Sequence, residues 1–173
     1  MARNRHRLRK RREGQAAVEF AMVAAPFFFM LFAILELGLV FVTDSVVENA
    51  VSQTGRLVRT GQAQNAGMTA QQFKDEVCER MSIMATDCQS NASIDVRVLD
   101  QFRNPTPPDP MANGTSFDAT KLVFETGSPG SIVLVRVWYK KPLITPLMSQ
   151  AMSRLGDGNM YMTSTATFRN EPY

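Results

Sequence analysis

The chain has 173 residues, with 19 Lys and Arg, 16 Asp and Glu, one His and two Cys, and 45% of its residues are hydrophobic. This length allows one modest domain with a small core. Because the single histidine, His6, lies in a basic tail, His-based catalytic triads and multi-histidine metal sites are excluded from a domain further along, and we predict no enzyme activity, no metal site and no cofactor.

Residues 1–14 form a basic leader. The first 13 residues hold seven Lys and Arg and one acidic residue, whereas the remaining 160 hold 12 basic and 15 acidic residues. The pI of about 9.1 is therefore a property of the leader. Such a run could by itself bind nucleic acid or act as a nuclear signal. The apolar segment that follows argues against both, and we predict no nucleic-acid partner.

The segment Phe20–Val42 contains 23 residues and one charge, Glu36. A helix of that length spans roughly 34 Å, enough to cross a bilayer core of about 30 Å. We predict a membrane-spanning helix over 15–42, with the lipid bilayer as its partner. The basic flank keeps the N-terminus in the cytoplasm, so the remainder of the chain is expected to be exported. A cleavable secretory signal is the alternative, but its apolar region is usually about 7–15 residues long.

Glu19 lies at the start of the apolar stretch, five residues after Gly14. A carboxylate deep in hydrocarbon costs about 2.5–3.5 kcal/mol unless it is paired. In one interpretation Glu19 reaches the headgroups and meets Arg12. In the other, the chain is cut after Gly14, and the new ammonium group of Gln15 neutralises Glu19 in its own chain or in a neighbouring subunit.

After the basic leader, the sequence reads GQAAVEFAMVAAPFFFMLFAILELGLVF. It consists of a glycine, four residues, a glutamate, an aromatic residue and then a long apolar stretch. This order resembles the prepilin-peptidase site of type IV pilin-like proteins, and the segment is similar to the TadE-like family of the tight-adherence (Flp) pilus system. The C-terminal residues also resemble the ending of TadE-like proteins, namely Arg169, Asn170, Glu171, Pro172 and Tyr173.

The resemblance implies a minor pseudopilin or pilus-assembly component that is processed by a prepilin peptidase. It also implies that the chain is anchored in the inner membrane of a bacterium, with its C-terminal part in the periplasm. The implied processing site comprises Gly14, Gln15, Glu19 and Phe20. Its implied partners are the prepilin peptidase, other pilus subunits and the inner-membrane assembly platform, and the mature chain could enter the pilus or only prime it.

Three further features of the apolar helix concern packing. Ala17, Ala21 and Ala25 recur every four residues, which forms either a small-residue face for close helix contacts or a set of good helix formers. Pro26 removes a helical hydrogen bond and predicts a kink. Glu36 is expected near the outer boundary of the bilayer, either solvated or paired across a subunit contact.

Apolar residues at a 3–4 residue spacing predict that the helix continues beyond the membrane to about residue 61, where Gly61 suits its end. We expect residues 62–68 to be a loop. A second helix then begins at Thr69 or Ala70. If Cys78 and Cys88 form a disulfide, this helix must end near Met84.

Three later segments alternate apolar and polar residues with period two, which predicts three strands of an antiparallel sheet. They run over 94–102, 132–139 and 160–168. Between them lie a proline-rich loop over 104–116, which could present a contact surface, and a short helix within 142–155 that is started or interrupted at Pro146.

Cys78 and Cys88 lie in the exported part, where an oxidising compartment permits a disulfide, and two free core thiols are the alternative. A continuous helix would separate them by about 15 Å, too far for a bridge, so a disulfide requires the chain to double back between them.

We therefore predict an α+β, pilin-like subunit with a 1–14 leader, a 15–42 transmembrane helix and a 43–173 periplasmic domain. The alternative function is an uncleaved single-pass anchor whose periplasmic domain binds other envelope or secretion components. A membrane-tethered hydrolase would need acid/base pairs in a cleft, and Asp75, Glu76 and Glu79 are better explained as the solvated face of the second helix.

Overall fold

The computed structural model describes residues 3–103 and 105–173, with residues 3–13 and 147 described by their backbone alone. The side chains of the basic leader, and Asn104 in the proline-rich loop, lie outside the described residues. The chain divides into two compact units, Met1–Leu39 and Val40–Tyr173. A long helix and a small three-stranded antiparallel sheet with shorter helices make the fold α+β, and the predicted fold class is confirmed.

The first unit is helical from Arg3 onward, and the second unit contains the sheet. Helix α1, which supplies the first unit and continues into the second, covers Arg3–Arg59. The other elements, in chain order, are α2 (Gln62–Asn65), α3 (Ala70–Arg80), a 3₁₀ turn (Ser82–Met84), α4 (Ala85–Asn91), β1 (Ala92–Leu99), a 3₁₀ turn (Ala119–Lys121), β2 (Ile132–Pro142), α5 (Pro146–Met152) and β3 (Asn159–Arg169).

The end of α1 depends on a glycine. The helix ends at Arg59, and Gly61 follows with φ of 78°, in the left-handed region that glycine adopts without a Cβ penalty. The ring of Tyr173 packs against Gly61 so closely that a Cβ there would lie 2.3 Å from the ring. The prediction of a plain loop over 62–68 is wrong in part, because the chain forms the single helical turn α2 there.

Helix α3 begins with a capping box. The Thr69 side chain accepts a hydrogen bond from the Gln72 amide, and the Gln72 side chain accepts one from the Thr69 amide. The helix ends at Arg80, four residues before the predicted Met84, and a 3₁₀ turn reverses the chain into α4. The chain therefore doubles back between Cys78 and Cys88, as a disulfide between them requires.

The sheet has the order β1-β2-β3, with both neighbouring pairs antiparallel, as the period-two pattern predicts. Val135 at its centre is opposite Val96 on one side and Ala166 on the other. β1 ends at Leu99, so Phe102 lies beyond the strand and is exposed. The predicted extension of this strand to residue 102 is therefore wrong.

Both faces of the central strand β2 are buried. One face carries Val133, Val135 and Val137 into the core cluster. This cluster also contains residues from the C-terminal part of α1, from α3 and from the segment around the disulfide, namely Val47, Val51, Val58, Phe73, Val77, Cys78 and Cys88.

The second face of β2 is covered by the segment 105–125. The ring of Phe117 packs edge-on against Trp138, with 6.0 Å between centroids, and stacks on Tyr161. Met111 is also buried. The described part of the proline-rich loop, 105–116, thus contains buried Met111 as well as exposed residues.

Candidate functional site

The predicted processing segment, residues 14–20, lies exposed along α1. The Gln15 side-chain amide donates a hydrogen bond to Glu19 Oε1 over 3.0 Å. This contact is possible because residues four apart lie one above the other on a helix. A Cβ at Gly14 would meet nothing within 4 Å, so this glycine is not required for packing in the described structure. The position that would carry the new N-terminus is thus one helical turn from Glu19.

The segment after Glu19 presents apolar side chains outward on every side. Phe20 is 71% exposed and Phe28 is 48% exposed, and most of their apolar neighbours up to Val42 are exposed to a comparable degree. In the described part of the chain, one helix is long and apolar enough to cross a membrane, judged by length and composition. A helix that is hydrophobic all round needs an apolar environment such as lipid or other helices, and this one fits a single-pass membrane anchor.

The structure bears differently on the three packing predictions for this helix. Ala17, Ala21 and Ala25 are exposed, as a face for another helix would be. The helix continues through Pro26, where the kink stays a prediction. Glu36, which was expected to be solvated or paired with a neighbouring subunit, is only 8% exposed.

The C-terminal residues meet the end of α1. The Glu171 amide donates to the Arg59 carbonyl over 2.9 Å, and Arg59 Nε lies 3.1 Å from Glu171 Oε1. Arg169 and Pro172 are exposed. The pair Arg59–Glu171 is half exposed, so its contribution to stability is small.

Asn170 is the buried member of the C-terminal motif. It is 2% exposed, and its side-chain amide donates to the carbonyls of Thr126 and Ser128 over 2.9 and 3.1 Å. Gln64, just after α1, donates to the same Thr126 carbonyl and to that of Val58. The motif that resembles the TadE-like ending therefore joins the last strand to the end of the long helix.

The two cysteines form a disulfide. Cys78 near the end of α3 and Cys88 in α4 are joined, with their Cα atoms 5.4 Å apart, and both are buried. Next to this bridge, the buried Tyr139 hydroxyl donates a hydrogen bond to the Asp87 carboxylate. Burial, together with this neighbouring carboxylate, raises the pKa of Tyr139 far above its ordinary value.

A buried ionic cluster lies on the second face of the sheet. Asp95 is fully buried and accepts hydrogen bonds from Arg97, from Arg136 and from the Val123 amide, at 2.6–3.1 Å. Arg136 also donates to the Pro108 carbonyl and lies over the Trp138 ring. These contacts fasten the segment 105–125 to β1 and β2.

The net effect on Asp95 favours its ionised form. Burial alone would raise the pKa of Asp95, but hydrogen bonds from Arg97, the Val123 amide and Arg136 outweigh it, so the pKa lies below its ordinary value. Sequence reasoning missed this cluster. The available signal was the presence of Asp95, Arg97 and Arg136 inside predicted strands, where charged residues need partners.

Of the acidic residues predicted to form the solvated face of the second helix, Asp75 and Glu79 are exposed and Glu76 is partly buried. Asp75 accepts hydrogen bonds from Gln71 and Gln89, while Glu76 is paired with Arg80 on the same helix. Within the ranges 3–103 and 105–173, no group of three potential ligand side chains could hold a metal ion.

The fold and the exposed apolar part of α1 together define a class of protein. Its members have a membrane-compatible helix that continues into a small α+β unit with a disulfide. Residues 14–56 match the model of the TadE-like protein family. The match begins at the predicted cleavage glycine and confirms the suspected family resemblance over about a quarter of the chain. It associates the chain with proteins of the tight-adherence pilus. No curated protein and no solved structure matches the chain.

Proposed function

We propose that this protein is a minor pseudopilin, or assembly component, of a tight-adherence (Flp, type IV-like) pilus. It is held in the bacterial inner membrane by the 15–42 segment, with its N-terminus in the cytoplasm and residues 43–173 in the periplasm. The observation that carries the proposal is a carboxylate, Glu19, at the start of an exposed apolar helix and one turn after Gly14 and Gln15.

The chemistry of Glu19 explains why cleavage would matter. Its described partner is the neutral amide of Gln15, which cannot neutralise a carboxylate. Arg12, the alternative partner, has a side chain outside the described residues. Cleavage after Gly14 by a prepilin peptidase would create an α-ammonium group on Gln15, in the same helical turn. A charge pair of this kind lowers the cost of placing Glu19 in hydrocarbon.

The mechanism we propose is storage in the bilayer followed by packing in a fibre. Lipid covers the exposed apolar helix while the subunit is stored. During assembly, helices of neighbouring subunits replace the lipid, and the small face of Ala17, Ala21 and Ala25 allows close approach. Glu19 then pairs with the new ammonium group of a neighbour. The partners are the prepilin peptidase, other pilus subunits and the inner-membrane assembly platform.

The alternative is an uncleaved single-pass anchor whose periplasmic domain binds other envelope or secretion components. It is favoured by one observation, that residues 40–173 form a compact unit with their own core. An anchor needs a membrane helix and a folded domain, and neither requirement involves Glu19 or Gly14.

Substitution of Glu19 separates the two functions. Glu19→Ala removes the carboxylate and makes the helix more apolar, so the protein should stay in the membrane. If it is a pseudopilin, pilus formation is expected to be lost or strongly reduced, as measured by counting surface pili. Glu79→Ala, an exposed carboxylate on α3, is the matched control and should leave pili unchanged. Normal pili in Glu19→Ala would favour the anchor.

Substitution of Gly14 tests processing itself. Gly14→Val introduces a side chain where the structure leaves open space, so the helix should tolerate it. Gly38→Val is the control, because a Cβ at Gly38 also meets nothing within 4 Å. We expect Gly14→Val to retain residues 1–14 in the membrane-extracted protein and Gly38→Val to lose them. If the chains of both variants begin at the same residue, specific processing at Gly14 is contradicted.

A further inference from the structure

The two edge strands of the sheet, β1 and β3, differ in whether other segments hydrogen-bond to their outer edges. At β1, the Val96 amide donates to the Val123 carbonyl over 2.8 Å and the Glu125 amide donates to the Val96 carbonyl over 2.7 Å, so part of this edge is covered. At β3, no strand or bridge pairs with the outer edge in the described part of the chain. The 11 residues of β3 are paired on one side alone.

The hydrogen bonds beside β3 identify which backbone groups face outward. The Asn170 amide donates to the Ser131 carbonyl, and the Gly130 amide donates to the Asn170 carbonyl. Because antiparallel ladders alternate, the even-numbered residues of β3 bond to β2 and the odd-numbered residues direct their N–H and C=O groups away from it. The outward set includes Thr163, Thr165 and Thr167, whose side chains are also exposed.

This edge lacks the features that normally prevent strand addition. Natural edge strands are protected by charged residues, prolines, bulges or covering segments. From Asn159 to Phe168 the strand has no charged residue, no Pro and no Gly. Its pairing with β2 continues without a bulge through all 11 positions. Helix α5 lies close to part of β3, but at Thr163, Thr165 and Thr167 the edge is regular and exposed.

An acidic groove runs beside the open edge. It has a volume of about 210 Å³ and is lined by Asp44 and Glu48 of α1 and by Thr163, Ser164 and Thr165 of β3. The two carboxylates are one helical turn apart, and both are exposed. Neither forms an ion pair with any other residue that the structure describes.

We propose that the β3 edge binds an extended, Lys- or Arg-bearing segment of a partner protein by strand addition. The added strand takes the backbone hydrogen bonds offered at Thr163 and Thr165. Its alternate side chains point toward α1, and basic residues at these positions meet Asp44 and Glu48. The backbone contacts supply affinity, and the two carboxylates select a basic segment over a neutral or acidic one.

A second copy of this chain fits the groove less well. Antiparallel pairing of two β3 strands centred on Ser164 would bring two copies of Asp44 and Glu48 together, and four like charges would oppose the contact. A basic partner removes that repulsion. The proposal concerns residues 40–173 and does not depend on whether Gly14 is cleaved, so the two proposals can fail separately.

The first test uses synthetic peptides and the full chain in phosphatidylcholine nanodiscs. A fluorescent octapeptide of alternating Lys and Val is titrated and its binding is followed by anisotropy. The control peptide has Glu in place of Lys. We expect the Lys peptide to bind at least about tenfold more tightly at low salt, and the difference to shrink as salt is added. Equal binding of the two peptides would overturn the basic-partner assignment.

The backbone contribution is tested with two further Lys peptides, one N-methylated at every Val and the other at every Lys. In an added strand only one of these two sets of N–H groups faces β3, so one peptide is expected to lose binding and the other to retain it. Which one loses binding also reports whether the strand is antiparallel or parallel. If both peptides bind as the unmethylated one does, strand addition is wrong.

Two variants of the protein complete the test. Asp44→Asn combined with Glu48→Gln should weaken binding of the Lys peptide about fivefold, whereas Glu79→Gln should not. Thr165→Pro removes an outward N–H without removing a bond to β2, and should weaken binding about tenfold relative to Thr165→Val. If Thr165→Pro fails to fold, the methylated peptides still test strand addition. Self-association that Thr165→Pro abolishes would overturn the proposal in favour of a second copy.

Discussion

Phenylalanine occupies opposite environments in the two units of this protein. In the first unit, Phe28 is 48% exposed among other exposed apolar side chains, whereas Phe73 in the second unit is 0% exposed. The first unit depends on an environment outside the chain to cover its apolar surface. The second covers its own surface, with α1 and α3 on one face of the sheet and the segment 105–125 on the other. The number of hydrophobic residues alone therefore does not distinguish a core from a membrane or fibre contact. The positions of these residues do, because they surround the helix in the first unit and lie on buried faces in the second.

The same contrast applies to carboxylates. Asp95 is buried in the second unit with two arginines of its own chain, so its charge is neutralised as the domain folds. Glu19, at the start of the apolar helix, has the neutral Gln15 amide as its described partner. The second unit therefore neutralises its buried carboxylate within its own chain. The other requires a positive charge that we propose arises by cleavage.

The largest difference between the units is expected from a matched pair of phenylalanine substitutions. Phe73→Ala should lower the free energy of unfolding of the second unit by about 4 kcal/mol, because it leaves a cavity in the core. Phe28→Ala should leave that free energy nearly unchanged. Urea unfolding of the full chain in detergent, followed by Trp138 fluorescence, measures both. Similar losses in the two variants would contradict the division into a self-covered and an externally covered unit.

Breaking the buried ionic cluster should have the next largest effect. Asp95→Ala leaves Arg97 and Arg136 without their carboxylate and should destabilise the second unit by about 3 kcal/mol. Asp100→Ala, just beyond β1 and exposed, is the control.

The same carboxylate predicts a pH dependence. The pKa of Asp95 is lowered by folding, so its contribution is present above the unfolded value of about 3.9 and is lost as the pH falls through the lower folded pKa. Asp95→Asn should lose less stability than the wild type over this acid range. An identical acid slope in both proteins would mean that Asp95 is not held ionised by the cluster.

Reduction of the disulfide should destabilise the second unit by about 2–4 kcal/mol, because the bridge between Cys78 and Cys88 restricts the unfolded chain. Unfolding curves with and without reductant measure this effect. The Cys78→Ala, Cys88→Ala double variant, which has no bridge to reduce, should be insensitive to the reductant. Insertion of the first unit into a membrane should not depend on the redox state.

The smallest expected effect concerns the C-terminal motif. Asn170→Ala removes hydrogen bonds to two carbonyls and should cost about 1–2 kcal/mol. Arg59→Ala, which breaks a half-exposed ion pair at the same place, should cost less than about 1 kcal/mol. A larger loss for Arg59→Ala would mean that the exposed pair, and not buried Asn170, fastens the C-terminus to the end of α1.

Local patterns were sufficient to predict much of this fold. The period-two segments predicted β1, β2 and β3, and Thr69 and Gly61 marked a helix start and a helix end because their roles depend on neighbouring residues. The cover over the second face of the sheet was missed because it depends on contacts between distant segments, such as Arg136 with Pro108. For the candidate site, the sequence indicated the spacing of Gly14 and Glu19. The Gln15 contact and the open edge of β3 depend on the three-dimensional arrangement of the chain and could not be predicted from it.

The most direct test of the central claim is the intact mass and N-terminal sequence of the chain extracted from its native membrane. We predict a chain that begins at Gln15 and lacks the basic leader, so that a new ammonium group is available to Glu19. A chain that begins at Met1 or Ala2 in cells that form normal pili would contradict the claim.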